Sequence, residues 1–185
     1  MALDLAFDAT LKYLGAQLSA GDIDRNRYRR ELAALLQQRL GCSRVGLWQI
    51  FGEAGARVMR CLARHDEGGG SHPGGEEIQE HEYGAYMERL VAQGVYISSD
   101  TLADAVLAPM HEIYFRPFDV RALMDAACTL NGQTFGVVCC EEIGRARTWT
   151  QTEVTQLKRW AAVIALHTAR VEREPAWWDG PVEAA

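Results

Sequence analysis

The sequence predicts an α+β domain: a central antiparallel sheet of about five to six strands, with N- and C-terminal helices on one face and short helices or loops over the other. Three observations predict it. Apolar, partly β-branched runs flank Asn131-Gly132, and Asn-Gly is the strongest short-range hairpin signal because a type I′ turn needs φ > 0 at both central residues. One face of that hairpin is almost wholly apolar, and the last helix carries an apolar seam able to cover it. The periodicities follow the order helix–helix–strand–strand–helix–strand–helix–hairpin–helix, which suits an antiparallel sheet.

Leu3, Phe7, Leu11, Leu14 and Leu18 share one helical stripe, and Ser19-Ala20-Gly21 ends that helix. Asp24 is placed to cap a second helix, with Ile23 and Tyr28 as a hydrophobic staple; it carries Leu32, Leu35, Leu36 and Leu40 and stops at Gly41. Residues 45–51 and 57–64 read as strands, and the Gly-rich stretch 65–75 as a mobile loop. Helical spacing runs over 76–93 through Ile78, Tyr86, Leu90 and Val91. Residues 95–98 form a short strand leading to Asp100; a short helix follows from Thr101, and Pro117 ends a further turn through Tyr114. After the hairpin, Thr150 and Glu153 form a capping box and Trp149 with Val154 a staple. Val154, Leu157, Ala161, Ile164, Thr168 and Val171 then make a seam with steps of three and four, and Trp160, Val163 and His167 project as a second stripe. Periodicity stops at Glu172. Residues 1–22 thus read as a helical extension, 23–171 as one domain and 172–185 as an irregular tail, with no internal repeat.

A two-residue turn sets Leu130 opposite Gln133, and Cys128–Phe135, Ala126–Val137, Met124–Cys139 and Ala122–Glu141 on the core face. The other face then pairs Thr129–Thr134, Ala127–Gly136, Asp125–Val138, Leu123–Cys140 and Arg121–Glu142. A three-residue loop would exchange the two faces. Small groups and a carboxylate in the middle of a central hairpin suit either a covering loop or a small-molecule cavity.

The 185 residues, 48% hydrophobic and 24% charged, fit one globular domain, and no apolar run approaches the length that spans a bilayer. The N-terminus lacks the pattern of a secretory signal. A net charge of -6 argues against electrostatic nucleic-acid binding. Five cysteines, odd in number and irregularly spaced, read as reduced, buried thiols of a cytoplasmic protein. His65, His72, His81 and His111 show no metal-site spacing, and His111-Glu112-Ile113-Tyr114-Phe115 has Phe where a zinc-protease helix needs its second His. The sequence therefore points to no metal and no cofactor.

Several stretches together resemble the GAF domains, sensory modules of bacterial signalling proteins. They are Cys42-Ser43-Arg44-Val45-Gly46-Leu47-Trp48, Tyr96-Ile97-Ser98-Ser99-Asp100, Ala122-Leu123-Met124-Asp125-Ala126, Phe135-Gly136-Val137-Val138-Cys139-Cys140-Glu141 and Arg147-Thr148-Trp149-Thr150. The resemblance covers roughly residues 31–170 and is to modules found ahead of histidine kinases and diguanylate cyclases; Ala127 stands where the family often has Pro. It implies a signal-transduction sensor whose pocket takes a small molecule, joined to a signalling-output protein and dimerising through its flanking helices. Tyr86, Tyr96, Asp100, Tyr114 and Phe115 lie on the segments that cover one side of the family's sheet. With Asp125 and Thr129 they are the candidate ligand-binding residues; each aromatic is also a plausible core residue, and Asp125 could equally bond backbone amides of a covering segment. Bilin-binding members use a Cys near a His, and Cys61 with His65 is the nearest approach here, without the rest of that signature. Some members reduce free methionine sulfoxide, but their cysteine-bearing loop is not recognisable, so a non-enzymatic sensor is expected. A dimerising interaction module without a ligand is the alternative. The homodimer would be built on residues 1–20 and the second stripe of the last helix.

Overall fold

The structure, a computed structural model, describes residues 2–53 and 55–171. The expected irregular tail, 172–185, lies outside them. The elements are helices α1 (Ala2–Ala20) and α2 (Arg25–Leu40), strands β1 (Arg44–Phe51), β2 (Val58–Asp66), β3 (Gly70–Pro73) and β4 (Glu77–Gln79), helix α3 (Glu80–Gln93), strands β5 (Val95–Ser98), β6 (Val120–Leu130) and β7 (Gln133–Ile143), and helix α4 (Gln151–Val171). Between β5 and β6 run a 3-10 helix (Ala105–Met110) and a π-type turn (His111–Phe115). Among the described residues no helix is long and apolar enough to cross a membrane.

The strands form one antiparallel sheet in the order β3-β2-β1-β7-β6-β5, with β4 also pairing with β2. The Gly-rich stretch expected to be a loop is partly ordered: β2 runs on to Asp66 and turns back at Gly68–Gly70 into β3. Residues 77–79 are a strand on the edge of β2, so α3 starts at Glu80 rather than at Glu76. Local capping fixes the helix ends. Asp24 accepts a hydrogen bond from the Arg27 amide at 2.6 Å, Gly41 closes α2 in the left-handed region, and Thr150 and Glu153 exchange capping bonds at the start of α4.

The hairpin turn is Asn131-Gly132, both at positive φ, as expected. The register is not the one expected. Thr129 faces Thr134, but Cys128 then faces Gly136, so Phe135 is the extra residue of a β-bulge. Every pair beyond it slips by one, and Asp125 opposes Cys139 instead of Val138. Met124, Ala126, Cys128 and Phe135 keep the helix-facing side, joined by Val138 and Cys140. Val137, Cys139 and Glu141 move to the opposite side.

Two cores result. On one face α2 and α4 cover the sheet and α1 packs across both helices. The seam Val154, Leu157, Ala161 and Ile164 is buried there. Contrary to expectation, the second stripe of α4 is covered within the same chain. Phe7 lies 4.3 Å from the Trp160 ring, Asp8 accepts bonds from Trp160 Nε1 and Arg159, and Gly15 leaves room for the His167 ring. On the other face α3, the 3-10 helix and the π-type turn enclose a second, aromatic-rich core.

A carboxylate pair in the aromatic core

The second core contains two ionisable groups that burial makes costly. Asp125 of β6 and Glu141 of β7 are each 3% exposed. The bulge sets them as diagonal neighbours on one face, since Asp125 pairs with Cys139 and Glu141 with Leu123. Each accepts one phenol. Tyr86 of α3 donates to Asp125 Oδ2 at 2.7 Å, and Tyr114 of the π-type turn donates to Glu141 Oε1 at 2.8 Å. A cavity of about 20 Å³ lies between them, walled by the rings of Trp48, Tyr86, Tyr114 and Phe115 and by Met59 and Met110.

The two carboxylates differ in their remaining partners. Glu141 Oε2 stands 3.6 Å from Arg44 Nη1, and Arg44 in turn bonds Asp66, which also meets Arg64 and His72. Asp125 has no such cation among the described residues; besides Tyr86, the Cys139 thiol and the Cys140 amide act on its carboxylate as hydrogen-bond donors. Trp48, whose ring walls this cavity, has an Nε1 that lies against Gly46 and donates no hydrogen bond. Burial pushes the Asp125 carboxyl up to about 7 against the Tyr86 bond, and the charge of Glu141 adds to the rise. Burial likewise raises Glu141, with Arg44 and Tyr114 opposing. Burial also holds the thiols of Cys61 and Cys139 well above their ordinary value, and the neighbouring carboxylates push the same way.

Of the seven candidate residues, Tyr86, Tyr114, Phe115 and Asp125 meet at this cavity. Tyr96 stands one layer away, edge-on to Tyr86 at 5.1 Å, with its hydroxyl on Asp104 at 2.8 Å. Asp100 lies outside, paired with Arg121 at 3.1 Å and bonded to the Leu102 amide. Thr129 is exposed at the hairpin tip and bonds Thr134 at 2.9 Å. Sequence reasoning missed Glu141, Trp48 and Cys139. The unbulged register put Glu141 and Cys139 on the helix-facing side, and Trp48 figured only in the stretch 42–48 that enters the sheet. The signal available was a carboxylate closing the apolar run Phe135–Cys140.

An antiparallel sheet of this order, with helices on one face and a small, largely apolar cavity beneath irregular cover on the other, defines the class as an α+β domain. The model described as GAF domain matches residues 24–167, and the chain belongs to the GAF domain family. No curated protein matches it. Among solved structures it is similar to the blue-light absorbing form of the Thermosynechococcus elongatus PixJ GAF domain, at 21% identity and TM-score 0.66, covering 83% of this chain and 88% of that one. It is also similar to the phycoerythrobilin-bound GAF domain of a cyanobacterial phytochrome, at 14% identity and TM-score 0.71, covering 89% and 95%. A third is the bacteriophytochrome RpBphP3 of R. palustris, at 14% identity and TM-score 0.69, covering 91% of this chain and 38% of that one. At these identities the likeness is one of fold.

Proposed function

We propose that this GAF domain is a non-enzymatic regulatory module that binds a small molecule at the Asp125–Glu141 cavity and relays binding to the helices across the sheet. The observation that carries the reading is Asp125: a carboxylate buried in an aromatic core, bonded to the Tyr86 phenol and with no cation paired to it among the described residues. An apolar residue of similar size would serve stability alone as well or better. The relay has a short path, because β6 carries Asp125 toward the cavity and Met124 and Ala126 into the core beneath α4. A signalling-output protein would read the position of α1 and α4.

The chromophores of the structural neighbours enter this reading as small molecules held by the same fold. A bilin-sized guest needs a pocket of about 300–1,000 Å³, against about 20 Å³ here. Cys61 is buried on β2 with its thiol on the Ala63 carbonyl, and His65 bonds Ser71, so neither presents an attachment site. Thermal-shift screening of a metabolite collection tests the proposal. A ligand at a hundred times its Kd stabilises by about 2.7 kcal/mol, and Cys139→Met, which fills the cavity, should abolish the shift. No stabilising compound, or a shift that survives Cys139→Met, would overturn it.

A further inference from the structure

The fold carries a large apolar groove on its outer surface, and the sequence holds an apolar motif that lies in none of the described elements. The groove, of about 630 Å³, runs between α1 and α4, floored by Gly15, Ala16, Ser19 and Ala20 and walled by Val163 and Leu166. The motif is Trp177-Trp178. The two helices run parallel: Phe7 packs on Trp160, Asp8 accepts a bond from Arg159, and Gly15 lies against His167. Their last turns therefore end on the same side of the molecule, and those turns form the groove. Val171 closes α4 five residues after Leu166, about 8 Å along the helix axis. Trp177 follows six residues later, and an extended chain of that length spans about 20 Å. The chain can thus turn back on leaving α4 and reach Leu166. Pro175 suits such a departure, because a proline does not prolong a helix.

We infer that Trp177 and Trp178 seat in this groove, so that the residues following α4 fold back over the α1–α4 pair. The groove's volume lies within the range of about 300–1,000 Å³ that encloses a small molecule, and the small side chains of α1 leave the depth an indole ring needs. A packed Trp buries about 150–250 Å², surface that two adjacent indoles otherwise present to water. Leu166, 53% exposed, would be covered in return. Charge favours the same occupant. Residues 172–185 carry Glu172, Glu174, Asp179 and Glu183 against Arg173 alone, and Lys12 stands at the groove, so Asp179, next to Trp178, meets a cation there. A second copy of the chain placed on this face would have to displace the seated indoles, so the tail competes with self-association through the groove.

Acrylamide quenching of tryptophan fluorescence tests this in the full chain, at about 1 μM, where weak self-association is lost. Trp48, Trp149 and Trp160 are buried, so quenchable emission comes from Trp177 and Trp178, and Trp177→Phe combined with Trp178→Phe supplies the background. Seated indoles should be quenched little in the native chain. Ala16 is an exposed position of α1 inside the groove. Ala16→Glu sets a carboxylate against the indoles and the acidic tail, and should raise the quenching severalfold with unchanged far-ultraviolet circular dichroism. Ala20→Glu is the second variant should the first lose helix content. Native tail indoles quenched as freely as those of the variants would overturn the inference and give the groove to a second copy. Indoles shielded equally in the native chain and the folded variants would place the tail elsewhere on the molecule and overturn it as well.

Discussion

Asp125 couples the stability of the molecule to pH in a direction opposite to most carboxylates. Folding raises its pKa from 3.8 to about 7, so the folded chain keeps a proton that the unfolded chain releases. The contribution of this group is therefore complete below about pH 4, declines as pH rises to about 7, and stays at its lowest above that. Glu142 and Glu153 act the other way. Burial works against them, but Arg145 and Arg147 for the first, and Thr150 and Arg147 for the second, hold both below their ordinary value. Asp125→Asn isolates the unusual term. The variant should exceed the native chain in stability by up to about 4 kcal/mol at pH 8, and the gap should close toward pH 4. Urea titrations across that range read the difference directly, and a gap that does not change with pH would refute the assignment. The residue was legible in the sequence as a carboxylate on a central strand; its phenol partner was not. Nothing in the spacing of Tyr86 and Asp125, 39 residues apart, says that α3 brings them to 2.7 Å.

At the scale of elements, local rules read well and register did not. Asn131-Gly132, the Asp24 cap and the Thr150–Glu153 box are chemistry within a few residues, and each sits where the sequence places it. The bulge at Phe135 is decided by tertiary packing: Phe135, Val138 and Cys140 all reach the helix-facing core only if one residue is skipped. That skip also delivers Glu141 to the cavity. The β3 and β4 segments were hidden for a similar reason, since a run rich in Gly and polar residues has no strand period and gains its order from the edge of β2. Arg147 shows how the elements are tied. Its guanidinium donates to the carbonyls of Leu40 and Gly41 at the end of α2, to Glu142 at the end of β7 and to Glu153 at the start of α4, and lies 4.2 Å from the Trp149 ring. Arg147→Ala would strip those contacts and leave the buried Glu142 with only the exposed Arg145. The expected loss is about 3 kcal/mol, and Arg147→Lys should recover less than half of it because an ammonium cannot reproduce the planar fork. Equal stability of the Lys variant and the native chain in chemical denaturation would contradict this.

For the whole molecule, α1 changes how assembly must be tested. The helix runs parallel to α4 and buries Phe7, Leu11, Leu14 and Leu18, so removing residues 1–20 would uncover Trp160, now fully buried, and damage the fold itself. We propose that the homodimer forms instead on the outer face of the α1–α4 pair. Leu5, Tyr13 and Leu166 are 67%, 65% and 53% exposed there. Leu166 flanks a groove of about 630 Å³ floored by Gly15, Ala16, Ser19 and Ala20. Protruding leucines beside a trough of small residues are self-complementary about a two-fold axis, the arrangement an isologous interface needs. It also sets the dimer contact on the helices that a change at the Asp125 cavity would move through β6. The native chain should sediment as a dimer, and Leu5→Glu with Leu166→Glu should give a monomer with unchanged far-ultraviolet circular dichroism. A monomeric native chain at about 100 μM, where an interface of about 1,000 Å² should hold, would refute the dimer, and a double variant that stays dimeric would move the interface elsewhere.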